Sequence, residues 1–304
     1  MARWKLVLLV AGALLVAGVV LIVMTLPDGG PSTPANRPTK PTGPPPIAAG
    51  AEYVAIGDSA TGAPGNSPVS ADDGCLQSTN NYPHRVAAKL GLKLTDVSCG
   101  GATTQQVRLS QPIGQIEVPP QIDAVTPTTE LVTLSLGAND FGTFGSIVGY
   151  CTAVRSDNPT GAPCEADELR GLGANEEKIA TIEDRLVRAI GLVEDRAAPD
   201  ARIIVVGYPE FFPESGPCTQ LSLAVGDYAF AHRINELLIR AQKQAAERTR
   251  VEFLDVHTPT QGHNMCADDP WIAGAYPTRT DAIPFHPYPE EQQVVAKLLI
   301  DRIT

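Results

Sequence analysis

The chain has 304 residues, 43% of them hydrophobic and 19% charged, which is enough for one large domain or two small ones. Its formal net charge is −11, and no basic groove is apparent, so nucleic acid is excluded as a partner. No C-x-x-C occurs among the six cysteines, and no His, Cys, Asp or Glu cluster has metal-ligand spacing, so neither a metal nor another cofactor is implied.

The first fifty residues differ from the rest. Arg3 and Lys5 lie in a short basic N-terminus, residues 1–5, predicted to stay in the cytoplasm. Leu6–Leu26 contains no charged residue. At about 20 residues such a run crosses a bilayer as a helix, so 6–26 reads as a transmembrane anchor, with a cleaved signal as the alternative. Residues 27–50, with Pro27, Pro31, Pro34, Pro38, Pro41 and Pro44–Pro46, read as an extended spacer. Residues 51–304 would then form an extracytoplasmic domain, held at the membrane or secreted. Arg3, Lys5, Arg37 and Lys40 face only Asp28 within the first fifty residues, so that domain is more acidic than the whole chain. All six cysteines, Cys75, Cys99, Cys151, Cys164, Cys218 and Cys266, fall in it, which favours disulfides.

Five short apolar runs read as strands: Tyr53–Gly57, Leu94–Ser98, Glu130–Leu136, Ala201–Gly207 and Val251–Val256. Helical spacing falls between and after them at Tyr82–Leu92, Glu176–Arg196, Asp227–Arg248 and Glu290–Ile303. Strand–helix alternation predicts an α/β fold, a mainly parallel five-stranded sheet between two helical layers (α/β/α). Sites in such sheets form at the carboxyl ends of the strands. Ser59 follows the first run, Gly100-Gly101 the second and Gly137-Ala138-Asn139-Asp140 the third, so three small polar turns converge on one edge. A serine nucleophile needs a base and donors for an oxyanion. Of the five histidines, His84, His232, His257, His263 and His286, the last is placed best, in a loop before the terminal helix.

Four blocks, GDSA at 57–60, CGGATT at 99–104, GAND at 137–140 and FHP at 285–287, stand in the order found in the SGNH/GDSL hydrolases. The chain resembles that family over about residues 51–304, and within it the secreted actinobacterial esterases and lipases. The resemblance implies Ser59 as nucleophile and His286 as general base and acid. It also implies an oxyanion hole of the Ser59 and Gly101 backbone N–H groups with the Asn139 amide. Asp58 and Asp140 read as turn and network residues. The stretch GHNMCADDPWIAG (262–274) resembles the Cys- and Trp-containing loop of such esterases, and the same resemblance implies the pairs Cys75–Cys99, Cys151–Cys164 and Cys218–Cys266. One position departs from the pattern. The wider family often carries Asp three residues before its histidine, whereas residue 283 here is Ile and the candidate orienting acid is Asp281. Some secreted members use a backbone carbonyl instead, which by resemblance implies a Ser59–His286 dyad held by the carbonyl of Ile283. The implied activity is hydrolysis of a carboxylic ester, a lipid ester or an acylated wall polymer, by a monomer without a cofactor. The alternatives are a non-catalytic envelope-binding domain and an acyltransferase to a glycan. G-x-S-x-G is absent, so the α/β-hydrolase fold is not implied.

Overall fold

Period-two alternation decides which face each strand residue takes. In the computed structural model, which describes residue 44 and residues 46–70, 74–168 and 176–304, that alternation separates two apolar cores. The strands are β1 (Glu52–Gly57), β2 (Lys93–Asp96), β3 (Gln111–Ile113), β4 (Ile116–Val118), β5 (Thr129–Ser135), β6 (Arg202–Val206) and β7 (Glu252–Leu254). Five of them form one sheet in the order β2-β1-β5-β6-β7, every neighbouring pair parallel. Val54, Ile56, Val132, Leu134, Ile203 and Val205 face one core, and Tyr53, Ala55, Leu131, Ile204 and Val206 face the other.

The principal helices are α1 (Ser59–Gly62), α2 (Tyr82–Leu90), α3 (Glu176–Arg196), α4 (Asp227–Thr249) and α5 (Pro289–Ile303). On one side Ile182 and Leu186 of α3 and Ile234 and Leu238 of α4 pack in the first core. On the other, Tyr82 and Val86 of α2 join Val295 and Leu299 of α5. The result is three layers, as the alternation of strands and helices predicts. Helix limits follow local chemistry. Asn81 caps α2 by accepting from the His84 N–H, and Gly91 ends it at φ +68°. Pro289 opens α5, where its missing N–H costs nothing.

Several boundaries differ from the sequence reading. β2 ends at Asp96 rather than Ser98, because the Asp96 carboxylate accepts from the Ser98 N–H (2.9 Å) and hydroxyl (2.7 Å). β7 is only three residues long. The predicted anchor at 6–26 and residues 27–43 of the predicted spacer lie outside the described residues. Among the described residues no helix is long and apolar enough to cross a membrane. The disulfides are Cys75–Cys99, Cys151–Cys164 and Cys218–Cys266, the pairs implied by the resemblance.

The order reverses between β1 and β5: the chain leaves β1 toward β2 on one side and returns on the other at β5. Such a switch point leaves a crevice at the carboxyl ends of the two strands.

Candidate active site

Ser59 is the first residue after the β1 turn, opening α1. The turn is held from both sides. Gln121 accepts from the Gly57 N–H at 2.9 Å and donates to the Gly57 carbonyl at 2.9 Å. Gly57 has no room for a side chain, since a Cβ there meets Thr61 Oγ1 at 2.3 Å. Asp58 caps α1 by accepting from the Ala60 N–H (2.8 Å), and its other oxygen accepts from the Tyr208 hydroxyl (2.6 Å). Burial pushes the Asp58 carboxyl up to about 6, against the opposing Tyr208 and Ala60 hydrogen bonds. Tyr208 in turn accepts from the Ala138 N–H (3.0 Å), so one buried chain of hydrogen bonds joins the Ser59 turn to the loop after β5. The Ser59 hydroxyl and backbone N–H make no hydrogen bond among the described residues, His286 included.

The loop after β2 is tied down by Cys75–Cys99, and Gly101 follows at φ +74°, a left-handed conformation suited to glycine. The neighbours of Gly101 are engaged: the Gly100 N–H donates to Cys75 and the Ala102 N–H to Cys99. The Gly101 N–H donates to nothing among the described residues. The Asn139 amide nitrogen gives one hydrogen to the Ala102 carbonyl at 3.1 Å, which orients it and leaves the second free. Asp140, fully buried, locks these two loops together. It accepts from the Thr104 N–H (2.8 Å) and hydroxyl (2.6 Å) and from Arg185 of α3 (2.8 Å).

His286 sits in a tight turn. Its N–H donates to the Ile283 carbonyl (3.2 Å), with Pro284 second and Phe285 third at φ +68°, the pattern of a type II turn. The Ile283 carbonyl therefore serves the backbone. The ring Nδ1 lies 2.8 Å from the Pro284 carbonyl instead, which corrects the expectation that Ile283 holds it. Asp281 is not brought to the ring, because its carboxylate pairs with Arg279 (3.0 Å). The turn is anchored against 271–273: Phe285 donates to Ala273, Ala273 to the His286 carbonyl and Tyr288 to Trp271. Buried Asn66 donates to the carbonyls of Asp281 (3.0 Å) and Pro287 (2.9 Å). With Nδ1 donating to a carbonyl, Nε2 is the ring's acceptor. Burial pulls the imidazole below its usual value, and the Pro284 carbonyl opposes this.

Ser59, Gly101, Asn139 and His286 line one cavity of about 290 Å³. Phe144, Val148, Tyr208, Phe211 and Phe285 form its apolar wall. Phe144 stacks on Phe212 (5.4 Å) and meets Phe211 edge-on (5.1 Å), which stiffens that wall. The other four histidines lie elsewhere. His84 contacts Asn81, His232 the Phe212 carbonyl, His257 the His232 ring, and His263 is stacked on Trp271. The sequence reading missed Tyr208, although its place just past the carboxyl end of β6 was a usable signal. It also missed Gln121, for which spacing gives none.

Residues 55–294 match the model of the GDSL-like Lipase/Acylhydrolase family. Lipase 2 of Streptomyces coelicolor is 37% identical over 220 residues, 71% of this chain and 72% of its own length. An esterase of Streptomyces scabiei is 30% identical over 296 residues, 82% of this chain and 85% of its own. Among solved structures, an extracellular lipase from Streptomyces rimosus superposes with a TM-score of 0.64 at 25% identity, covering 83% of this chain and 99% of that one. A phospholipase A1 from Streptomyces albidoflavus has the same fold, with a TM-score of 0.65 at 24% identity over 84% of this chain and 100% of that one.

Proposed function

Since the chain belongs to the GDSL-like lipase/acylhydrolase family and is a carboxylic ester hydrolase, we propose that it cleaves its ester in two steps through an acyl-enzyme on Ser59. The Ser59 hydroxyl attacks the ester carbonyl while His286 Nε2 takes its proton. The negative charge that develops on the carbonyl oxygen is met by the N–H groups of Ser59 and Gly101 and by the free Asn139 amide hydrogen. His286 then protonates the departing alkoxide. A water attacks the acyl carbon as His286 takes its proton. The second tetrahedral intermediate then collapses, breaking the bond to Ser59 Oγ as His286 returns that proton to the oxygen, and the free acid leaves. The Pro284 carbonyl holds the ring through Nδ1 during both transfers.

One observation carries this reading. Two backbone N–H groups, those of Ser59 and Gly101, donate to nothing among the described residues, and their residues line the same cavity as Asn139 and His286. Donors kept unengaged ahead of reaction cost no reorganisation when charge appears, and one such donor is worth roughly 3–4 kcal/mol. The apolar wall takes the acyl chain of a lipid ester or the acyl group of a wall polymer. Three disulfides support an extracytoplasmic location. The apolar run at 6–26 would direct export and anchor the domain.

Ser59→Ala is the test. It should abolish labelling by a fluorophosphonate and lower turnover of p-nitrophenyl esters by at least about 10⁴. Labelling that persists on another serine removes Ser59 from the chemistry.

A further inference from the structure

One end of the β3–β4 hairpin reaches the loop that carries Gly101. Ile113 and Val118 pack against the first core, and Ile113 closes over Gly74, where an added Cβ would meet its Cγ2 at 3.0 Å. Gly114, at φ +60°, makes the short turn between the strands. Gln111, the first residue of β3, is thereby set beside Cys99-Gly100-Gly101. Its Nε2 donates to the Gly100 carbonyl at 2.8 Å. The same nitrogen lies 3.8 Å from where a Cβ on Gly101 would stand.

The Gly100 carbonyl and the Gly101 N–H belong to one peptide group. That group is planar and trans, so the two point in opposite directions. Whatever holds the carbonyl therefore aims the N–H. Glycine on both sides of the bond leaves this peptide easy to turn, because neither Cα carries a side chain to oppose rotation. The Gly100 N–H donates to the Cys75 carbonyl (3.2 Å), but that bond fixes the preceding peptide. Gln111 fixes the next one. Donation to the carbonyl also polarises the amide, which makes its N–H a better donor.

Packing does not account for the rest of the side chain. Gln121 uses both ends of its amide on Gly57. Gln111 uses one end, and its Oε1 is buried with no hydrogen-bond partner among the described residues. A buried acceptor without a donor destabilises a fold. A methionine would fill the same length without it.

We propose that Gln111 is a positioning residue for ester cleavage: by holding the Gly100 carbonyl it keeps the Gly101 N–H aimed into the Ser59 cavity. It acts through that peptide and not on the substrate. This rests on the reading above that the Gly101 N–H meets the oxyanion. Acylation and deacylation both pass through an oxyanion, so both slow when the peptide turns.

Hydrolysis of p-nitrophenyl butyrate at pH 8 tests this with two variants. Gln111→Met keeps the length and lacks the donor. Gln111→Glu keeps the shape and presents an acceptor to the Gly100 carbonyl. Each should lower kcat by about 10²-fold, as a misplacement of about 1 Å does. kcat/KM should fall equally and KM should stay unchanged, the signature of an interaction made only in the transition state. The Tm of Gln111→Met should stay within about 4 °C of the unsubstituted protein. Unchanged kcat in a folded variant, or a raised KM with kcat kept, overturns the assignment. Loss of the fold in both variants makes Gln111 a structural residue and overturns it too. A crystal structure of Gln111→Met, or of Gln111→Glu if the first does not fold, reads the geometry apart from the chemistry. The Gly100–Gly101 peptide should be turned there, and a peptide that keeps its orientation overturns the positioning even where kcat falls. If a fluorophosphonate does not label Ser59 in the unsubstituted protein while the peptide turns in the variant, the Ser59 reading fails and the hold of Gln111 on the peptide does not.

Discussion

Phe285 holds a left-handed backbone, φ +68°, which costs an L-residue with a Cβ about 1–2 kcal/mol. The strain is offset by its N–H bond to Ala273 and by its ring, which walls the cavity. It also determines which carbonyl reaches His286. Counting three residues back from the histidine points to Ile283, and no pattern of residue types announces a positive φ at phenylalanine. The turn spends the Ile283 carbonyl on the backbone and aims that of Pro284 at the ring, so the meeting of Ser59 and His286 at one cavity could be read from the sequence and the carbonyl beside Nδ1 could not. Asp281→Asn should accordingly lower kcat/KM by no more than about tenfold, or ~1.4 kcal/mol, while His286→Ala nearly abolishes turnover. A thousandfold loss in Asp281→Asn with the fold intact returns Asp281 to the mechanism. The pH profile tests the same residue. His286 must be neutral to accept the Ser59 proton, and burial lowers its pKa. The acidic limb of kcat/KM should therefore have its midpoint below 6.5. Asp58, with its carboxyl near 6, titrates in the same range, and Asp58→Asn tells the two apart: the limb that remains is that of His286.

The loops that line the Ser59 cavity are not stiff by their own sequence, and each is held by a link to a neighbour. Cys75–Cys99 spans 24 residues and fixes the chain just before Gly100-Gly101. Cys151–Cys164 fixes the segment that continues from the Asn139 loop, and Cys218–Cys266 fixes the chain leading to 271–273, against which His286 is anchored. Closing a loop of this size in the unfolded chain is worth about 3 kcal/mol. Cys75→Ala/Cys99→Ala should lose about that much in denaturant unfolding. It should also lose more than tenfold in kcat/KM under conditions where it remains folded, because Gly101 is no longer positioned. Unchanged turnover would show that the ladder and Asp140 suffice. The three inner strands were legible because each is a β-branched run buried on both faces. The β3–β4 hairpin was not: its strands are three residues each, Pro112 interrupts the first, and both lie largely open to solvent.

At the scale of the molecule, the layered architecture followed from strand–helix alternation, whereas buried polar side chains such as Glu291 did not follow from any pattern. Glu291 is buried at the start of α5, where it accepts from Gln292 (2.6 Å), which also donates to the Ala60 carbonyl beside Ser59 (3.0 Å). Burial pushes its carboxyl up to about 8, against the opposing Gln292 bond. The folded state thus holds a proton that the unfolded chain releases near 4.5. Its stabilising share is complete below that value and is lost as the pH rises toward about 8. Glu291→Gln should leave Tm nearly unchanged at pH 4 and raise it at pH 9, as read by thermal unfolding across that range. A gap that does not widen with pH shows that Glu291 ionises freely in the folded protein. The three disulfides have a consequence of another kind. The sheet and its helices assemble by burial and ladder hydrogen bonds, which are indifferent to electron supply, whereas the loops that bring Ser59, Gly101, Asn139 and His286 together are tied by bonds that form only where thiols are oxidised. A cell that makes this chain in a reducing interior thus carries the scaffold without its finished edge. If the domain is exported as proposed, that edge is completed only after the chain has left the compartment of its synthesis.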